Sequence, residues 1–131
     1  MVTDDIVAIE QLLYRYCFAV DKGTADDVAA LFHESATLMP IYSGDPPAKG
    51  RAAIREMTHG FLKDTDTFSA EIKRTVHEGN VVFNERVDTI VMKNGKKADI
   101  PVAGMFELND AGKIKVWRDY FDLGTFTKQI S

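Results

Sequence analysis

From Phe68 to Asp122 the sequence reads as four long strands divided by three tight turns. Phe68–His77, Asn80–Met92, Lys97–Leu108 and Lys113–Asp122 are the strand segments, dense in the β-branched and aromatic residues that suit a pleated surface. Glu78-Gly79-Asn80, Asn94-Gly95 and Asp110-Ala111-Gly112 separate them. Asn-Gly is the strongest of these signals, because a two-residue hairpin turn needs positive φ at its centre. Strands joined by such short turns pair antiparallel. The second half of the chain is therefore confined to a meander.

The first half has helical spacing. Ile6, Ile9, Leu13, Tyr16, Cys17 and Val20 recur at three- and four-residue steps. They predict one apolar stripe on a helix from about Asp4 to Lys22, ended by Gly23. Thr24-Ala25-Asp26-Asp27 predicts a second, short helix with Val28, Leu31 and Phe32 inward. Ala36–Met39 reads as a brief strand, Pro40–Gly50 as a loop and Arg51–Lys63 as a third helix. Three helices followed by a meander give an α+β fold in one domain, residues 1–131. The sheet is expected to curl around the first helix and leave a cone-shaped cavity, a usual ligand site.

The net charge of −4 comes without a basic stripe, which excludes a nucleic-acid partner. No apolar run reaches the roughly 20 residues of a membrane helix. The acidic start Met1-Val2-Thr3-Asp4-Asp5 lacks a secretory pattern, so the expected compartment is the cytoplasm. The single cysteine, Cys17, rules out an internal disulfide and reads as a small buried hydrophobe. His33, His59 and His77 lack metal-ligand spacing, the glycines form no phosphate loop, and Ser35, Ser43 and Ser69 have no nucleophile-elbow context.

The candidates for chemistry are instead Asn84-Glu85-Arg86-Val87-Asp88 and Trp117-Arg118-Asp119-Tyr120-Phe121-Asp122. Side chains alternate along a strand, so Val82, Asn84, Arg86, Asp88 and Ile90 share one face. Arg86 and Asp88 are then about 7 Å apart at Cα, a gap an arginine fork can span. In the last strand Lys115, Trp117, Asp119 and Phe121 are expected on one face. Glu85 and Arg118 fall on the outer face. Charges rarely occupy core-facing strand positions unless paired or used. Two carboxyls around one arginine can divide acid and base roles, or form a satisfied ion cluster with no chemistry.

At these residues the chain resembles the limonene-1,2-epoxide hydrolase family, within the NTF2-like and SnoaL-like superfamily. Asn84–Asp88 and Trp117–Asp122 carry the resemblance, and the separation of the two motifs fits as well. Ile9–Met39 and Gly50-Arg51 resemble the superfamily more generally. The resemblance implies a cone-like α+β fold, a homodimer, no metal and no cofactor. It implies that Asp119 takes a proton from water, that Asp88 protonates the epoxide oxygen, and that Arg86 orients both. The family places a water-holding tyrosine and asparagine just after a Thr-Leu pair. Here Thr37-Leu38 is followed by Met39-Pro40-Ile41, so the matching positions are Met39 and Ile41, which cannot hold water; Tyr42 or Asn84 are the available substitutes.

The expected activity is thus hydrolysis of a small apolar epoxide to a vicinal diol. Met39, Ile41, Tyr42, Phe61, Trp117 and Phe121 are the expected substrate-binding residues. Two alternatives use the same fold: a ketosteroid-isomerase-like or SnoaL-like isomerase or cyclase, and a non-catalytic ligand-binding module.

Overall fold

The computed structural model describes Ile9, residues 25–40 and residues 47–131. The elements run α1 (Ala25–Ala29), β1 (Phe32–Pro40), β2 (Ala48–Lys49), α2 (Gly50–Leu62), β3 (Thr65–Glu78), β4 (Val81–Met92), β5 (Lys97–Leu108), β6 (Ile114–Tyr120) and α3 (Leu123–Ile130). The first expected helix, with Cys17, and the loop residues 41–46 lie outside the described residues. Ile9 alone is described there, helical and buried. Among the described residues α1 and α2 precede the meander.

Six strands form one sheet in the order β2-β1-β6-β5-β4-β3. The expected meander is present as β3 to β6, each strand antiparallel to the next. β1 joins it parallel to β6, with Leu38 beside Trp117 and Pro40 beside Asp119. Local sequence does not announce this pairing, because parallel partners need a long crossover rather than a turn. β1 also starts earlier than expected: Phe32, assigned to the second helix by its spacing, opens the strand and is fully buried.

Alternation is clean along β5. Ala98, Ile100, Val102, Gly104, Phe106 and Leu108 are buried, while Lys97, Asp99, Pro101 and Ala103 are exposed. Pro101 is tolerated in mid-strand because β6 pairs with β5 only from Ala103 onward, and a missing N–H does no harm on an unpaired edge. The C-terminal helix α3 covers that edge. Gln129 Oε1 accepts from the Asp99 amide at 2.7 Å and Gln129 Nε2 donates to the Asp99 carbonyl at 3.0 Å, in place of a neighbouring strand. The sequence reading missed α3 because Asp122 was assigned to the last strand. Asp122 instead caps the helix, accepting from the Gly124 amide and the Thr125 hydroxyl.

Bulges bend the long strands and set which side chains face inward. One lies between Ile72 and Arg74 of β3, beside Arg86 of β4. Another lies where Leu108 pairs with Ile114 and Glu107 with Val116, leaving Lys115 as the extra residue of β6. This corrects the expected face of β6: Ile114 is buried and Lys115 is exposed, while Trp117 and Asp119 keep their inward phase.

α2 packs against α1, β1 and β2. Its buried residues Ile54, Thr58 and Leu62 recur every fourth position, one stripe of a helix. Gly50 starts it at φ +84°, a conformation that L side chains rarely adopt. The main apolar cluster joins Phe32, Ile54, Leu62, Phe68, Val82, Phe106, Leu108 and Trp117. A smaller one, Ala98, Ile100 and Val102, is closed by Phe121, Phe126 and Ile130. Truncating a buried aromatic such as Phe106 to alanine costs about 3–5 kcal/mol in such cores.

Candidate active site

Arg86 is the largest side chain among the fully buried ones, 1% exposed in the middle of β4. Its alternation partners on β4 are as expected from sequence: Val82, Asn84, Asp88 and Ile90 are all buried with it. An unpaired charge there would be prohibitive, so its partners decide whether the site can exist. Nε donates to Asp88 Oδ1 at 2.8 Å and Nη2 to Asp88 Oδ2 at 3.2 Å. The same Nη2 donates to Asp119 Oδ2 at 2.6 Å. Nη1 donates to Asn84 Oδ1 at 3.1 Å. One guanidinium thereby joins two carboxyls that the sequence sets far apart, with a two-pronged grip on the nearer one.

The two carboxyls differ. Asp88 is flanked in register by Ala70 of β3 and Ile100 of β5, with Ile90 next on its own face. Burial among these apolar groups pushes its carboxyl up to about 6, against the opposing pull of the Arg86 charge and hydrogen bonds. Asp119 is more open, its side chain 17% exposed against 9% for Asp88. Its other oxygen accepts from the Trp117 indole Nε1 at 2.7 Å. Burial works against the charge on Arg86, but the adjacent carboxylates outweigh it and hold the guanidinium above its ordinary value. A proton kept on the deeper carboxyl removes one buried negative charge, which lowers the desolvation cost of the group.

Gly104 of β5 makes room for this arrangement. It lies in register between Asn84 of β4 and Asp119 of β6. A Cβ at Gly104 would overlap Arg86 Nη1 and approach Asn84 Oδ1 and Phe106 Cε1 to 2.9 Å each. The sequence reading passed over Gly104. Its signal was a lone glycine inside an otherwise apolar strand, which marks close approach by another group.

Trp117 comes to the site, though as a hydrogen-bond donor built into the core. Its ring is 4% exposed and stacks with Phe32 at 6.1 Å and Phe106 at 5.4 Å between centroids. Phe61 lies on α2, edge-on to Phe68 at 5.9 Å. Phe121 packs against the smaller cluster beneath α3. Met39 sits in register with Arg118, one residue out of step with Asp119. Ile41 and Tyr42 lie outside the described residues. Among the described residues no group of three His, Cys, Asp or Glu could hold a metal ion, and no helix is long and apolar enough to cross a membrane.

The described fold recurs in solved NTF2-like proteins. A SnoaL-like protein from Jannaschia sp. CCS1 superposes with a TM-score of 0.81 at 16% identity, covering 98% of this chain and 92% of that one. An LEH-like epoxide hydrolase of Mycobacterium tuberculosis superposes with a TM-score of 0.77 at 25% identity, covering 97% and 89%. Epoxide hydrolase EphG of M. tuberculosis (strain ATCC 25618 / H37Rv) is 38% identical over 56 residues, 43% of this chain. That match spans 36% of EphG's own length. Residues 20–131 match the family of the limonene-1,2-epoxide hydrolase catalytic domain, and the chain belongs to that family.

Proposed function

We propose that this protein is an epoxide hydrolase that adds water to a small, mostly apolar epoxide in a single step. The observation that carries the reading is the unequal pair of carboxyls on one buried arginine. Asp119, the more open of the two, takes a proton from water. That water forms a bond to one epoxide carbon as the carbon–oxygen bond breaks. Asp88, the deeper carboxyl, gives its proton to the leaving oxygen, and the product is a vicinal diol. Arg86 keeps both carboxyls oriented and offsets the negative charge that moves from Asp119 to Asp88 as the two protons transfer. Ring opening needs push and pull together, so a base and an acid on opposite sides of a small substrate supply both. At the end Asp119 holds a proton and Asp88 has lost one; exchange with solvent resets them.

The site needs no covalent intermediate and no cofactor. The family resemblance brings a homodimer into the reading. The outer sheet face carries exposed Val76, Phe83 and Tyr120, with Val76 directly across from Phe83. Such an apolar patch suits a second copy of the chain.

A panel of small epoxides, each assayed for diol, tests the activity, with Asp88→Asn and Asp119→Asn as comparisons. Diol from the native protein and none from either variant, with melting temperatures retained, is the expected result. Conversion of a ketone panel with epoxides inert would replace the reading by an isomerase. Diol formation unchanged in both variants would remove the two aspartates from the chemistry.

A further inference from the structure

Asn84 has a donor that nothing described on the protein uses. The residue is 4% exposed. Its Oδ1 faces Arg86 Nη1, and a guanidinium can only donate, so the amide orientation is fixed and Nδ2 must point away from the arginine. Among the described residues Nδ2 has no hydrogen-bond partner. Leaving a buried N–H unpaired is costly, so such a group in a folded protein asks for a partner.

Register says which partner. Asn84, Gly104 and Asp119 stand in one row across β4, β5 and β6. Two strand spacings put the Asn84 and Asp119 backbones about 10 Å apart. Gly104 between them adds no side chain to that row, and the guanidinium spans the gap, bonded to both. Asp88 belongs to a different row, with Ala70 and Ile100. The spare donor therefore lies on the base's row and away from the acid's.

We infer that Asn84 holds the attacking water: Nδ2 donates to the water oxygen while Asp119 accepts one of its protons. This rests on the hydrolase reading and adds a residue to it. A carboxylate alone fixes only the direction in which the proton leaves. A second contact to the oxygen is needed to aim a lone pair at the epoxide carbon. Asn84 supplies that contact, and Arg86 holds Asn84 and Asp119 in a common frame.

The test compares Asn84→Asp with Asn84→Ala, reading kcat, KM, melting temperature and the position of oxygen-18 in the diol. Asn84→Asp keeps an acceptor toward Arg86 and loses the donor; Asn84→Ala loses both. The expected result is a fall in kcat of about 100-fold in each at its own optimum pH, the size of effect a misplaced reactant gives. KM should change little, and the label should spread between the two carbons. Asn84→Asp with native kcat and native labelling would overturn the inference and leave Asn84 a brace for Arg86. A high-resolution crystal structure supplies a readout independent of turnover. One water within about 3 Å of both Asn84 Nδ2 and an Asp119 oxygen supports the site. Nδ2 bonded to a protein acceptor instead refutes it. If native protein is inert toward epoxides but that water is present, the water site stands and the hydrolase reading fails.

Discussion

The Arg86 guanidinium occupies the space where a side chain at Gly104 would begin. The glycine belongs to β5 and the arginine to β4, with Asn84 and not Arg86 directly opposite it. Gly104 thus serves the site without any reactive group of its own. The flexible end of an arginine can usually move aside, but this one is held by four hydrogen bonds to Asp88, Asp119 and Asn84. A methyl group there has to displace the whole set.

Gly104→Ala is therefore expected to cost about 1–3 kcal/mol of stability, the usual penalty for overpacking. It should also lower kcat for epoxide opening by more than tenfold. Urea unfolding and steady-state kinetics on one preparation check both. Full activity with native stability would show that Arg86 is not held where the hydrogen bonds place it.

The pH dependence follows from Asp88. With its carboxyl up at about 6, a general acid loses its proton above that pH. The expected kcat/KM falls about tenfold per unit above pH 6. Stability has the same sign. The folded value lies above the ordinary 3.8, so the favourable contribution is complete below about pH 4 and is lost as pH rises through 6. About 3 kcal/mol is at stake over that window. Urea unfolding at pH 4, 5, 6 and 7 checks it against Asp88→Asn, in which this part of the slope should be absent. A slope of opposite sign that vanishes in Asp88→Asn would mean that Asp88 is ionised throughout.

Trp117→Phe separates packing from hydrogen bonding. Phenylalanine can keep the stack with Phe32 and Phe106 but has no Nε1–H for Asp119. A hydrogen bond to a charged group contributes about 1.5–3 kcal/mol. The variant should fold and lose kcat by about tenfold or more while KM changes little. Unchanged kinetics would make Trp117 a core residue only.

Phe83→Asp tests the outer sheet face. Phe83 is 47% exposed and sits between Val76 and Met105 in register. The native chain should sediment as a dimer and the variant as a monomer. A native chain that sediments as a monomer at micromolar concentration would remove the dimer from the reading.

Much of the site was legible in the sequence because strand alternation is strict. Asn84, Arg86 and Asp88 share a face whatever the rest of the fold does, and the turn at Asn94-Gly95 sets β4 against β5. Asp119 was legible by motif but not by counting from the strand start, because the bulge at Lys115 shifts the phase of β6. The parallel seat of β1 beside β6 and the edge cover from Gln129 depend on contacts between residues distant in sequence, which no local pattern reports. The resemblance alone supplied separate roles for Asp88 and Asp119; the difference between their surroundings was not legible. It comes from Ala70 and Ile100 on neighbouring strands and from the Trp117 indole, which only the assembled sheet brings to bear.

The direct attack of water is the step on which the rest depends, and a single turnover in oxygen-18 water tests it. With enzyme in excess over epoxide, the diol should carry one heavy oxygen, and peptides containing Asp88 and Asp119 should carry none. Unlabelled diol together with heavy oxygen in either carboxyl would contradict it, because the carboxyl and not water would have attacked the ring.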